Sequence, residues 1–133
     1  MIDLTTTGTE PVQYRIDRRN GVVYLTLRGK VTFTDLAQAQ ARILDDPDYH
    51  PGTSVYFDCR VITSIPSHDQ IRQLSLDQLF RDRAVRSGKF AIVAMTRLGF
   101  ALATALGDFL DRGGNDVSTF TSHLAARAWL GLE

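Results

Sequence analysis

Cysteine is scarce in this chain and surplus charge is absent, and each shortage disfavours a class of protein. The one cysteine, Cys59, has no second cysteine in the chain to form a disulfide with, which is typical of a reducing compartment. Fifteen basic residues balance fifteen acidic ones, so the chain lacks the positive surplus with which proteins neutralise nucleic-acid phosphates. We therefore expect no nucleic-acid partner.

Long hydrophobic runs are missing as well. No segment approaches the roughly 20 apolar residues of a membrane-spanning helix, and Met1–Glu10 contains no hydrophobic segment of a signal peptide. We expect a cytoplasmic protein without integral membrane association. The length of 133 residues suits a single core, so we predict a flexible tail over residues 1–11 and one domain over residues 12–133.

Two kinds of apolar pattern indicate strands. Val12–Arg18 alternates apolar and polar residues, and the Asn20-Gly21 turn joins it to Val22–Leu27 as an antiparallel hairpin. Continuous apolar runs are typical of parallel strands that are covered on both faces. Such runs occur at Ser54–Asp58 and Lys89–Met95, and a short edge strand is predicted at Val117–Phe120.

Helical spacing follows the second, third, fourth and fifth of these strands. Thr32 or Thr34 is expected to cap the first helix, and Ser67 with Gln70 forms a capping-box pattern for the second. The third helix is predicted at about Leu98–Arg112, and the fourth follows Thr121 or Ser122. The predicted fold is a single α/β domain of order β-β-α-β-α-β-α-β-α, with a mixed sheet of about five strands, the first of them antiparallel, and four helices.

Several predictions concern which helical residues face the core. Ile43 and Leu44 are expected on the core face of the first helix. In the fourth helix the inward set is expected to be Leu124, Ala125, Ala128, Trp129 and Leu132.

The carboxyl ends of the parallel strands are the expected place for a site. Arg60 and Arg97 follow two such strands, and His68 begins a helix there, so the three residues are candidates for an anion-binding rim. The alternative is that Arg60 pairs with Asp58 or Asp69 and that Arg97 lies in solvent. Ser67 is a helix cap, a phosphorylation site or, least favoured, a nucleophile.

The helix at Leu98–Leu110 has more apolar surface than one core-facing stripe requires. Leu98, Phe100 and Ala101 are therefore candidates for contact with a partner subunit or for the lining of an apolar pocket. Ordinary burial is the alternative. Asp58 and the scattered histidines lack metal-ligand spacing, so we expect no metal site. We also expect no cofactor and no catalytic residue, and we expect Cys59 to be a buried apolar residue rather than a reactive thiol.

Several landmarks recur in the order known from one superfamily. They are Gly29 before a helix led by Thr and Asp, the Asp45–Tyr49 helix exit, the strand that ends in Asp58 and Arg60, and the closing Phe120 with Ala128–Leu130. From Val12 to Leu132 the chain resembles the SpoIIAA-like branch of the STAS superfamily (sulfate-transporter and anti-sigma-factor-antagonist domains), with a STAS/CRAL-TRIO-like fold.

The resemblance implies a phosphorylated serine at the start of the second helix, in an Asp-Ser-Ser-Gly-like context. The matching serine is Ser67, but Pro66 precedes it and His68 follows it, so the flanking Asp and Gly are absent.

The resemblance favours a non-enzymatic, SpoIIAA-like binding or regulatory module of unknown partner. A homodimer is expected, because two-fold dimers are the commonest soluble oligomers. One alternative is a carrier of a small apolar or amphipathic, lipid-like ligand, with the anionic head at Arg60, His68 and Arg97. The least favoured alternative is a small enzyme that uses the strand-end cluster.

Overall fold

A five-stranded mixed sheet, in the spatial order β1-β2-β3-β4-β5, organises the computed structural model. The structure describes residues 10–50, 52–73, 89–112 and 116–132. The strands are β1 (Val12–Asp17), β2 (Val22–Lys30), β3 (Ser54–Ser64), β4 (Lys89–Val93) and β5 (Asp116–Phe120). β1 is antiparallel to β2 and every other neighbouring pair is parallel. The predicted α/β class, the antiparallel first strand and the five-stranded mixed sheet are confirmed.

Four helices lie in the described part of the chain: α1 (Phe33–Asp45), α2 (His68–Gln73), α3 (Arg97–Arg112) and α4 (His123–Trp129). The Thr32 hydroxyl accepts a hydrogen bond from the Asp35 backbone N–H, and the Asp35 carboxylate accepts one from the Thr32 backbone N–H. Ser122 caps α4 in the same way through the Ala125 N–H. The predicted helix after Ser67 extends into residues outside the described ranges. Residues 1–9 of the predicted tail also lie outside them.

The larger core cluster covers one face of the sheet. Val23, Leu25, Val55, Phe57 and Ile92 project from the strands of this face, and α1, α2 and α3 supply the side chains packed on them. Cys59, which is fully buried, belongs to the same cluster. Because residues alternate between the faces of a strand, the neighbours of these residues must lie on the second face.

The second face carries a much smaller cluster. It consists of Val22, Tyr56, Ala91, Val93, Ala126 and Leu132. α4 contacts β4 and β5, with Ala126 buried against them, and it reaches β3 and β2 through His123 and Arg127, which contact Tyr56 and Tyr24. The half-covered second face is what creates the candidate site.

The predicted end of β3 at Asp58 is wrong, because the strand continues to Ser64. β2 also continues beyond Leu27, to Lys30, and pairs with the additional part of β3, where Arg28 is opposite Val61 and Lys30 is opposite Ser64. Between the pairs Thr26–Asp58 and Arg28–Val61, β3 has one residue more than β2, which is a β-bulge that contains Cys59. The bulge shifts the alternation, so Ile62 is buried in the same cluster as Cys59 although the two are an odd number of positions apart.

Two predicted core positions face outward instead. Leu44 is 45% exposed, because α1 packs through Leu36, Ala39 and Ile43 and Leu44 lies to one side of that stripe. In α4 the predicted inward residues Leu124, Ala125 and Ala128 are exposed, with Leu124 at 74%. Ala126 is buried in their place, so the packed face of α4 is rotated from the predicted one. Of the predicted set, Trp129 is half-buried and Leu132 is buried.

None of the described helices is both long and apolar enough to cross a membrane.

Candidate functional site

Two rows of side chains across β1, β2 and β3 form the floor of a groove on the second face. The strand register pairs Gln13 with Thr26 and Thr26 with Asp58, which gives the first row. Two residues along each strand, it pairs Arg15 with Tyr24 and Tyr24 with Tyr56, which gives the second. Central strands of a mostly parallel sheet are normally apolar on both faces, so Thr26, Tyr56 and Asp58 depart from the usual composition at this place.

α4 forms the wall of the groove. With Ala126 packed on the sheet, His123 and Arg127, one helical turn apart, lie beside the tyrosines of the floor. His123 Nδ1 is 2.6 Å from the Tyr56 hydroxyl, and an Arg127 N–H donates to the Tyr24 hydroxyl at 3.0 Å. The groove is open to solvent and has a volume of about 570 Å³.

Arg60 lies in the groove and holds Asp58 through two hydrogen bonds. Its Nε donates to one carboxylate oxygen at 2.9 Å and its terminal nitrogen donates to the other at 2.8 Å. Burial acts to raise the pKa of Asp58, but the hydrogen bonds and charge of Arg60 outweigh it, and the charge of His123 adds to them, so the pKa is lowered. Asp58 is therefore an ionised, fixed carboxylate rather than a proton acceptor.

Tyr24 is the centre of a second arrangement. The Arg15 guanidinium lies over its ring, 4.4 Å from the ring centre, in a cation–π contact. The Tyr24 and Tyr56 rings are in tilted contact, 5.4 Å apart between centres. Burial, followed by the charge of Asp58, raises the pKa of Tyr56, so its hydroxyl stays protonated at neutral pH. The tyrosines thus form an aromatic platform, with the Arg15 guanidinium over the ring of Tyr24 and Arg127 bonded to its hydroxyl.

The residues that were proposed as ligand or anion-binding candidates have different surroundings. Arg60 lines the groove, whereas Ser67 and Arg97 are exposed at the starts of α2 and α3 and are not among the groove residues. The Ser67 hydroxyl accepts from the Gln70 N–H at 3.2 Å, and the Gln70 side chain accepts from the Ser67 N–H at 3.0 Å, as the capping-box pattern predicted. His68 begins α2, and its side chain lies outside the described ones.

The three apolar candidates of α3 have different surroundings. Leu98 is half-buried against the larger core cluster. Phe100 is 41% exposed and Ala101 is exposed. Leu102, Ala105 and Leu106 complete the packed stripe as ordinary core residues.

Sequence patterns pointed to Arg60 and missed most of the groove. Arg15, Tyr24, Tyr56, His123 and Arg127 come from three strands and a helix that are far apart in the chain. The available signal was the alternation of β1: Val12, Tyr14 and Ile16 were predicted to face the core, which places Gln13 and Arg15 on the other face. Nothing local predicts that this face stays uncovered.

The thiol and the acidic side chains give no second candidate. Burial raises the pKa of Cys59 to about 12, and the charge of Asp58 acts in the same direction, so the thiol is unreactive. This agrees with the predicted buried position of Cys59. Among the described side chains, no group of three or more His, Cys, Asp or Glu is arranged to hold a metal ion.

Comparisons with known proteins place the fold. No protein-family model matches the chain, and no curated protein matches it. A similar solved structure is the crystal structure of an uncharacterized protein of the DUF3478 family, with a SpoIIAA-like fold, from Shewanella loihica PV-4. It is 15% identical, the match covers 90% of this chain and 91% of that one, and the TM-score is 0.58. The chain therefore has the SpoIIAA-like fold that its sequence pattern predicted.

Proposed function

We propose that this protein is a non-enzymatic binding module and that its ligand site is the groove over β1, β2 and β3. The observation that carries the proposal is the open cavity of about 570 Å³ between α4 and the second face of β1, β2 and β3. Its floor holds polar and aromatic side chains on central strands, where packing alone would favour apolar ones. A concave surface with convergent polar groups is the usual form of a small-ligand site.

The chemistry of the groove favours binding over catalysis. Asp58 has a lowered pKa and both of its oxygens are occupied by Arg60, so it is a weak base. The pKa of Tyr56 is raised, which disfavours the phenolate. An enzyme site would need a polar cleft that contains a histidine or a carboxylate. The groove contains both, His123 and Asp58. The two groups are nevertheless engaged with Tyr56 and Arg60.

The carrier alternative requires a different cavity. A pocket for an apolar tail is closed and lined mostly by apolar side chains. The groove instead is open and is lined by charged, polar and tyrosine side chains. A ligand that binds through polar groups suits it better than a lipid-like one.

The test is a ligand screen on the isotope-labelled full chain, followed by backbone amide shifts in NMR. The probes are small water-soluble compounds in three sets: cationic, neutral and anionic. We expect compounds that bind to shift amides of residues 13–15, 24–26, 56–60 and 123–127. Shifts that cluster instead around Ser67 and Arg97 would place the site at the strand ends and contradict the proposal.

A blocking variant with a matched control sharpens the test. Thr26 lies in the middle of the groove floor, so Thr26→Trp fills the groove, whereas Thr119→Trp makes the same change at an exposed position of β5. We expect Thr26→Trp to abolish the shifts and Thr119→Trp to leave them unchanged, with cooperative thermal unfolding in both. Binding that persists in Thr26→Trp would exclude the groove.

A further inference from the structure

The groove concentrates positive charge in a chain that is neutral as a whole. Three guanidinium groups, those of Arg15, Arg60 and Arg127, line it together with one carboxylate, that of Asp58. The chain has equal numbers of basic and acidic residues. The excess of two positive charges therefore belongs to this surface and is balanced elsewhere on the molecule.

Two of the three guanidiniums form no salt bridge with a described carboxylate, although the charge of Arg15 also acts on Asp17, two residues along β1. Asp58 is bound to Arg60 at both oxygens. Arg15 contacts the ring face of Tyr24, and Arg127 donates to the hydroxyl of the same tyrosine. By contrast, Arg18 and Arg42, which lie outside the groove, are paired with Asp48 and Glu10.

Arg15 and Arg127 contact the same tyrosine, Tyr24, one at its ring and the other at its hydroxyl. The two guanidiniums are therefore about the length of a tyrosine side chain apart. Two like charges repel at this separation. An anion between them would remove that cost. A guanidinium also donates two parallel hydrogen bonds to a carboxylate or a phosphate, which a lysine cannot do.

The floor supplies a further donor close to the same place. Gln13 pairs with Thr26 across β1 and β2, in the row next to Arg15 and Tyr24. The Gln13 amide nitrogen is buried and has no hydrogen-bond partner among the described residues. Buried donors are nearly always paired in proteins, so a bound acceptor would satisfy it.

We infer that the groove selects small ligands with an oxyanion group, a carboxylate or a phosphate, which is held between Arg15 and Arg127. The inference rests on the proposed function and names the chemical class of its ligand. The Asp58–Arg60 pair keeps the third guanidinium in place and sets one boundary of the anion site. A carboxylate already fixed there also disfavours a second anion beside it.

The experiment titrates the full chain with inorganic phosphate and, separately, with citrate, by amide shifts in NMR and by calorimetry. The groove variant is the double substitution Arg15→Gln/Arg127→Gln. The control is Arg18→Gln/Arg42→Gln, which removes the same charge from two largely exposed residues outside the groove. We expect the groove variant to lose at least tenfold in affinity and the control to lose less than twofold. The single variant Arg15→Gln changes an exposed residue and serves if the double variant does not fold.

The outcomes separate the inference from the proposed function. Equal losses in the groove and control variants would show general electrostatic attraction and overturn the inference. Groove shifts with neutral compounds but none with phosphate or citrate would overturn the inference and leave the proposed function standing. If compounds of all three charge sets leave the groove amides unmoved, both are overturned. Weaker citrate than phosphate binding would favour a phosphate group, and the reverse a carboxylate.

Discussion

The Asp58–Arg60 ion pair in the groove should make the stability of the fold depend on pH. The pKa of Asp58 is lowered by Arg60, so its ionised form stabilises the folded state above the unfolded pKa, near 3.8, and this contribution is lost as the pH falls through the folded value. We expect Asp58→Asn to lower the free energy of unfolding by about 1 kcal/mol at pH 7, because a partly exposed ion pair is worth less than a buried one. At pH 3 the difference from the unmodified protein should shrink. Urea unfolding at the two pH values measures it.

The control for this substitution is Asp48→Asn. Asp48 pairs with Arg18 at 3.6 Å, and both side chains are largely exposed, at 44% and 67%. We expect only a small change in stability at either pH. A loss in Asp58→Asn of equal size at pH 3 and pH 7 would assign it to packing rather than to charge.

At the scale of single residues, the sequence is informative where a side chain acts on its own neighbours. The caps at Thr32 and Ser122, the capping box of Ser67 with Gln70 and the burial of Cys59 follow from local patterns, and all are present. The contact of Arg127 with Tyr24 joins residues more than a hundred positions apart. It depends on where α4 lies on the sheet, which no local pattern specifies.

Among the described glycines, Gly99 at the start of α3 has the least space for a side chain, because the helix lies close to the sheet there. A Cβ on Gly99 would lie 2.9 Å from the Cys59 carbonyl oxygen, which belongs to the bulge of β3, and 3.2 Å from Ala94 Cβ. We expect Gly99→Ala to destabilise the protein by about 1–3 kcal/mol, because backbone cannot move aside as a flexible side chain can. Thermal and urea unfolding measure the change.

Gly107, two turns further along α3, provides the matched control. A Cβ there meets only Val117 Cγ1, at 3.9 Å, which is an ordinary contact. Alanine is the better helix former, so Gly107→Ala should stabilise the protein by up to about 1 kcal/mol. The two substitutions thus have opposite expected signs. Stabilisation by both would mean that α3 does not approach β3 as closely as the structure describes.

At the scale of elements, the sequence predicted the type and order of the strands and helices but not all of their lengths. The hairpin follows from alternation and from the Asn20-Gly21 turn, where Gly21 has a φ of 67°. The extension of β3 to Ser64 follows from pairing with Arg28, Gly29 and Lys30 of β2. Pairing over that sequence distance leaves no periodic signal in either segment.

At the scale of the whole molecule, the two faces of the sheet differ in how they are covered. Of the helices in the described ranges, three pack on one face, and α4, of seven residues, covers part of the other. A sequence pattern indicates that a helix is amphipathic, but it does not indicate how much of a sheet the helix will cover. For this reason the fold was predictable, whereas the position of the groove was not.

The unequal cover predicts unequal local stability. α4 is held mainly by Ala126 and the half-buried Trp129. β3 and β4 are buried on both faces, through Phe57 and Ile92 on one and through Tyr56 and Ala91 on the other. Segments with few buried contacts open locally at less than the cost of global unfolding. We expect the hydrogen-bonded amides of α4 to exchange with solvent at least tenfold faster than those of Phe57 and Ile92.

Hydrogen exchange measured with and without phosphate tests whether a ligand in the groove stabilises α4. If an oxyanion binds Arg127, the ligand is bound only while α4 is packed on the sheet. The exchange rates of the α4 amides should then fall as the phosphate concentration rises above the dissociation constant. The amides of Phe57 and Ile92 should slow by a similar factor, because the more extensive opening through which they exchange also releases the ligand, and they should remain slower than those of α4. Equal protection of α4 and the central strands without ligand would contradict the prediction. It would mean that the half-covered face unfolds only together with the rest of the molecule, and that the wall of the groove is as rigid as its floor.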